Sequence, residues 1–130
     1  MSRLLLDTHV WLWMLTDPGR LSEQAREELA NLDNTLFLSA ASGWEIAIKH
    51  RLGKLDLPEP PREFVPSRLR RSGVLPLAIE VDHALRVSEL PEHHRDPFDR
   101  LLVVQAQALS LRLVTSDRQL DAYEVDLLRT

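Results

Sequence analysis

Short apolar runs that each break on a polar residue and lead into a segment of helical or turn character constrain this chain more than any other feature. Leu4-Leu5-Leu6 stops at Asp7, Leu36-Phe37-Leu38 stops at Ser39, and the largely apolar Leu111–Thr115 run stops at Ser116-Asp117. A strand without polar alternation is one buried on both faces, the situation of parallel strands covered by helices. Between the runs the period changes to that of a helix. Asp7-Thr8 supplies an N-cap, and Val10, Trp11, Met14 and Leu15 recur at helical spacing until Asp17-Pro18-Gly19. Alternating strands and helices of this kind predict an α/β fold, a three-layer α/β/α sandwich with a mainly parallel central sheet, formed as a single domain over residues 1–130.

The remaining elements follow from the same signals. Ser22 caps a helix expected over 23–32, with Ala25, Leu29 and Leu32 on one face. Ser39 opens another, with an apolar stripe of Ala41, Trp44, Ile48 and Leu52, closed by Gly53 at the C′ position. Residues 54–66 carry Pro58, Pro60, Pro61 and Pro66 and predict a stiff connector. A basic helix is expected around residues 62–71, then Gly73, a short strand over 74–77 and a helix over 80–89. Pro97 to Ser110 reads as the last long helix. A short helix and an edge strand near residues 123–127 complete the chain. Trp11 and Trp13, two apart on one helix, cannot both face the core.

Composition narrows the function classes. With 16 Lys+Arg against 20 Asp+Glu the formal net charge is -4, so bulk electrostatics cannot hold nucleic acid. A local basic rim or recruited cations would be required; two divalent ions would bring the charge to zero. Cysteine is absent, which excludes disulfides and Cys-based zinc sites and fits a cytoplasmic protein. No apolar run reaches the ~18 residues of a membrane span, and the N-terminus lacks the pattern of a signal peptide.

Ligands of open parallel sheets lie outside the carboxyl ends of the strands. Asp7 ends the first strand, Asp117 lies just past the Leu111–Thr115 strand, and Glu45 sits on the second turn of the helix that begins after the Leu36–Leu38 strand. Asp99 opens the helix feeding the Leu111 strand, so that helix's N-terminus points to the same end of the sheet. Four carboxylates brought together repel, and a hard divalent cation relieves the repulsion. Such an ion activates water and stabilises charge on a phosphoryl oxygen, so phosphodiester hydrolysis suits the arrangement.

Each acid also has a structural reading. Asp7 can cap a helix, Glu45 can pair with Lys49 at i,i+4, and Asp117 can cap the turn holding Leu120. Asp96-Pro97-Phe98-Asp99 reads as a capping box with Asp96 at N-cap. His93 and His94 invite a zinc site, but no third softer ligand is in view; an exposed loop or a supporting position beside the site fits them better.

The segments that carry the acids are more specific than the acids. Leu4-Leu5-Leu6-Asp7-Thr8-His9, Ser39-Ala40-Ala41-Ser42-Gly43-Trp44-Glu45-Ile46-Ala47, His94-Arg95-Asp96-Pro97-Phe98-Asp99-Arg100-Leu101-Leu102 and Leu113-Val114-Thr115-Ser116-Asp117 resemble PIN-domain proteins, and among them the VapC-type toxins of bacterial toxin–antitoxin pairs. The resemblance runs nearly end to end. It implies a Mg²⁺- or Mn²⁺-dependent endoribonuclease, usually a homodimer, restrained by a small VapB-type antitoxin and leaving 5′-phosphate and 3′-hydroxyl ends. Carried over by position, it assigns Asp7, Glu45, Asp99 and Asp117 to the metal, Asp96 and Arg100 to support, and Thr8, Ser39 and Ser116 to hydroxyls beside the site.

Arg62, Arg68, Arg70 and Arg71 read as a solvated helix face or as a rim for the RNA backbone. Arg100 is expected to pair with Asp96 or another nearby acid. The rival functions are a catalytically silent PIN-like module that binds RNA or protein, and a phospho-acceptor receiver domain. The receiver needs an acidic pair after the first strand, where this chain has Thr8-His9, and a lysine near the end of the last strand, where it has Ser116-Asp117. Which RNA is cut does not follow from shared acids, because target choice lies in the surrounding surface.

Overall fold

The computed structural model describes residues 1–130. Five strands, β1 (Arg3–Leu6), β2 (Thr35–Ser39), β3 (Leu75–Leu77), β4 (Arg112–Thr115) and β5 (Leu127–Arg129), form one sheet in the order β3-β2-β1-β4-β5. All four pairings are parallel. Both edges are short: β3 and β5 have three residues each, and Pro76 in β3 has no backbone N–H to offer.

The helices are α1 (Thr8–Thr16), α2 (Glu23–Ala30), α3 (Ala40–Arg51), α4 (Pro61–Ser72), α5 (Val81–Arg86) and α6 (Pro97–Leu109). Alternate residues of β1 divide the core into two halves. Leu4 and Leu6 meet Val10 and Trp11 of α1, Ala25 of α2 and Ile46 of α3 on one face. Leu5 meets Leu102, Val103 and Ala106 of α6, with Leu120 and Tyr123, on the other. The three-layer α/β/α sandwich follows from this division, because a strand apolar at every position must be covered on both sides.

The chain leaves β1 towards β2, and later returns past β1 to place β4 on its other flank. β1 and β4 therefore border the switch point of the sheet, where the crevice for ligands opens. Register completes the placement. Leu6 pairs with Val114, so the next residues, Asp7 and Thr115, emerge together from the sheet's carboxyl edge.

Several local expectations need correction. α2 stops at Ala30, and Leu32 is fully exposed, since Asn31 turns the chain by accepting from the Asp33 N–H. The buried face of α3 is Ala41, Ser42, Glu45 and Ile46 rather than the Ala41-Trp44-Ile48-Leu52 stripe; Trp44 and Leu52 stand in solvent. The connector ends at Pro60, where Pro61 takes the N1 position of α4 and Pro66 lies inside that helix. The last strand begins at Leu127, whereas Tyr123 is a buried member of the second core half. Trp11 and Trp13 both reach the first core half, against expectation: Trp11 is buried within it, while Trp13 packs against it partly buried and lies against the Arg20 guanidinium at 4.8 Å. Gly53 and Gly73 both have positive φ, consistent with their places after α3 and α4. No helix is long and apolar enough to cross a membrane.

Candidate active site

Asp7 occupies the N-cap position of α1 but makes no side-chain capping bond. Its Oδ2 instead accepts from the Thr115 hydroxyl across the β1–β4 boundary, at 2.7 Å. The same Thr115 oxygen accepts from the backbone N–H of Asp117 at 3.0 Å, so one hydroxyl positions two acids. Asp7 is buried, and loss of hydration raises its pKa; Glu45 adds to the rise, while the Thr115 bond and His9 oppose it.

Asp99 shows why its helix start resembled a capping box. Asp96 is the N-cap of α6, its Oδ1 accepting from the N–H groups of Phe98 (2.8 Å) and Asp99 (3.3 Å). The reciprocal half of the box is missing, because the Asp96 N–H goes to His94 Nδ1 at 3.3 Å. The Asp99 carboxylate is thereby left for the cleft. Burial, then the charges of Asp7 and Asp96, push its pKa up to about 7; Glu45 contributes in the same direction and His94 opposes. Glu45 thus acts on both Asp7 and Asp99, and Asp7 on Asp99, as charges in one cleft do.

Asp117 joins them through His94. His94 Nε2 lies 3.0 Å from Asp99 Oδ2 and 2.8 Å from Asp117 Oδ2, and donor atoms of the three residues fall within 4.8 Å of one another. The other oxygen of Asp117 caps the 3₁₀ turn Arg118–Ala122 by accepting from Gln119 N–H, so its structural and site roles coexist.

Glu45 is buried but neutralised by its own helix. Lys49 Nζ sits 2.6 Å from Oε2, and the Thr8 hydroxyl lies 2.7 Å from Oε1 and 2.8 Å from Ser42 Oγ. Burial opposes the charge on Lys49, yet the bond to Glu45 and the charges of Glu45, Asp96 and Asp99 together raise its pKa. The i,i+4 pair expected of an exposed helix thus exists inside the cleft.

The supporting positions divide. Thr8 holds Glu45, and Asp96 caps α6. Ser39 caps α3 by accepting from Ala41 N–H and hydrogen-bonds none of the acids, and Ser116 makes no side-chain hydrogen bond. Arg100 pairs with no acid. Its guanidinium donates to the carbonyls of Val87, Leu90, Pro91 and His94 and to the Tyr123 hydroxyl, binding together the loop that carries His94. The expected Arg100–Asp96 pair is absent because Asp96 is engaged by α6 backbone. Arg68 pairs with Glu59 at 2.9 Å and lies over the Phe64 ring, while Arg62, Arg70 and Arg71 are exposed without ion pairs. None of these four forms an ion pair with the site carboxylates. Sequence reasoning missed Thr115, Ser42, Lys49 as a cleft residue and His94 as a bridge. Ser42, His94 and Thr115 all lie within the family-like segments and Lys49 stands four residues after Glu45, but nothing in the sequence separates a site role from a structural one for them.

The family model of the PIN domain matches residues 4–126 of the chain. The chain belongs to the PIN-domain family. Ribonuclease VapC22 of Mycobacterium tuberculosis is 32% identical over 126 residues, covering 95% of this chain and 93% of that protein. Ribonuclease VapC16 of the same organism is 52% identical over 61 residues, which are 47% of this chain and only 42% of that protein. Among solved structures, VapBC2 from Rickettsia felis bound to a DNA fragment from its promoter gives a TM-score of 0.72 at 17% identity, covering 98% of both chains. DNA-bound VapBC from Salmonella typhimurium gives 0.72 at 16%, over 99% and 98%. At such identities the structures speak for the fold.

Proposed function

We propose that this PIN-domain protein, one domain over residues 1–130, is the toxin of a toxin–antitoxin pair and a divalent-metal-dependent endoribonuclease. The carrying observation is that His94 joins Asp99 to Asp117 at the switch point while the Thr115 hydroxyl ties Asp117 to Asp7, with burial and then the neighbouring charges pushing the pKa of Asp99 up to about 7. The donor set fits a hard cation, because carboxylates of raised proton affinity crowd a cleft with too little positive charge of its own. Asp7, Asp99 and Asp117 would hold Mg²⁺ or Mn²⁺, with His94 at hand as a nitrogen donor and Glu45 acting from behind its Lys49 pair. When bound, such an ion supplies positive charge to the phosphoryl oxygens and acidity to the attacking water.

The chain's own residues orient these groups. Thr115 fixes Asp7 and Asp117 relative to each other, Asp96 sets the first turn of α6 behind Asp99, and Arg100 holds the His94 loop. The relatives named ribonuclease point to RNA as the substrate. The VapBC structures that share the fold support a VapB-type antitoxin as partner. A cytoplasmic homodimer completes the proposal.

End-mapping of RNA treated with purified protein tests it. Cleavage is expected with Mg²⁺ or Mn²⁺, leaving 5′-phosphate and 3′-hydroxyl ends, and none with chelator. Undiminished cleavage in chelator would sink the metal reading.

A further inference from the structure

His94 lies between Glu89 and Pro97, where no helix or strand fixes it, yet several bonds set its position. Its backbone N–H donates to the Tyr123 hydroxyl at 3.0 Å, and its carbonyl accepts from Arg100 Nη1 at 3.2 Å. A third bond, from the Asp96 N–H to Nδ1 at 3.3 Å, orients the ring. Tyr123 is buried in the second core half and its hydroxyl also accepts from Arg100 at 3.2 Å, so the loop hangs from the core. Together these bonds aim Nε2 between Asp99 and Asp117. A nitrogen in that place can serve an ion with its lone pair or the acids with its N–H, but not both at once. Nδ1 decides between them. Because it accepts a hydrogen bond it carries no proton, and in a neutral ring the proton then sits on Nε2. A ligating imidazole shows the opposite arrangement, its second nitrogen donating.

We propose that His94 and Tyr123 are positioning residues of the metal site: the Tyr123 hydroxyl sets the His94 ring, whose Nε2–H, and not its lone pair, holds Asp99 and Asp117 as a pair for the ion. The inference rests on the metal-dependent reading and adds to it two residues outside the four acids. Carboxylates that bind a metal are themselves held by hydrogen bonds, and loss of such a partner weakens the ion's binding. Asp7 has Thr115 for this purpose and Asp117 has Gln119 N–H. The Asp99 carboxylate has His94 alone. Without that N–H, Asp99 and Asp117 would face each other with like charge and nothing between them.

The test reads Mn²⁺ affinity by calorimetry on chelator-stripped protein, and the place of the ring proton by ¹⁵N-histidine NMR on the Mg²⁺-loaded wild type. His94→Asn keeps an acceptor where Nδ1 stood but presents no N–H to the acids; it should bind Mn²⁺ about tenfold to a hundredfold more weakly than wild type. His94→Gln carries an amide N–H to the neighbourhood of Nε2 and should recover most of that loss. Tyr123→Phe should weaken binding by about two- to tenfold in the wild-type background and add nothing to His94→Asn, since both act through one ring. The NMR spectrum should show the His94 proton on Nε2. A bare Nε2 with the proton on Nδ1 would make the ring a ligand and overturn the proposal. So would a His94→Asn protein that binds Mn²⁺ as tightly as wild type, or equal losses in the Asn and Gln variants. Wild type that binds no divalent ion would instead remove the metal-dependent reading itself.

Discussion

Replacing Asp99 by Asn should make the metal-free protein more stable while removing its activity. Folding moves the Asp99 pKa from 3.8 to about 7, so ionised Asp99 is disfavoured in the fold. The sign follows from linkage: the advantage of the protonated form is fully present below the unfolded value and is lost as pH rises through the folded one. At 1.36 kcal/mol per unit, ionisation costs the fold about 4 kcal/mol once the pH exceeds 7. At pH 5 the loss is only about 2 kcal/mol, because just the unfolded chain has released its proton. Asn keeps the shape and cannot ionise. In chelator, urea denaturation should therefore show the variant ahead of wild type by up to about 4 kcal/mol at pH 8 and by about 2 kcal/mol at pH 5. Added Mn²⁺ should stabilise wild type far more than the variant, since a cation binds the folded, ionised site. A variant no more stable than wild type at pH 8, or a gain that ignores pH, would refute the charge-crowding argument.

Other expectations follow from the same geometry. Asp7→Asn should abolish RNA cleavage with a near-wild-type circular dichroism spectrum, because an amide oxygen can still accept from Thr115. Arg100→Ala strips four carbonyls and the Tyr123 hydroxyl of a charged donor; a loss of about 2–3 kcal/mol in denaturant stability is expected, with weaker metal binding by calorimetry as the His94 loop loosens. Arg68→Ala should cost stability through its Glu59 and Phe64 contacts with little change in kcat. Thr115→Val should lower activity strongly, as the hydroxyl that serves both Asp7 and Asp117 is removed while side-chain volume is kept.

The sheet was legible because its strands announce themselves. Leu4-Leu5-Leu6 has no polar face, so burial on both sides and helical cover follow with little freedom. The acids at strand ends were legible for the same reason, since the polar residue that breaks each run marks the carboxyl edge. Less accessible was anything that depends on how a helix is rotated. Trp44 and Glu45 compete for the inner face of α3, and hydropathy alone awards it to tryptophan. The structure reverses that choice because Lys49 and Thr8 satisfy the buried carboxylate. Thr115 was hidden in another way: its partnership with Asp7 depends on the β1–β4 register, a relation between segments 108 residues apart. Arg100 was misjudged because a cation beside acids suggests an ion pair, whereas loop carbonyls were nearer.

The edges of the sheet also limit how this protein can associate. A partner that adds a strand needs a long, regular row of free backbone donors and acceptors. β3 offers three residues, with Pro76 at its centre, and β5 offers three more at the other side. Neither is a template for strand addition. The proposed second copy or antitoxin would therefore have to meet surfaces other than the sheet edges, and the parallel sheet stays a frame that presents the acids at its carboxyl end.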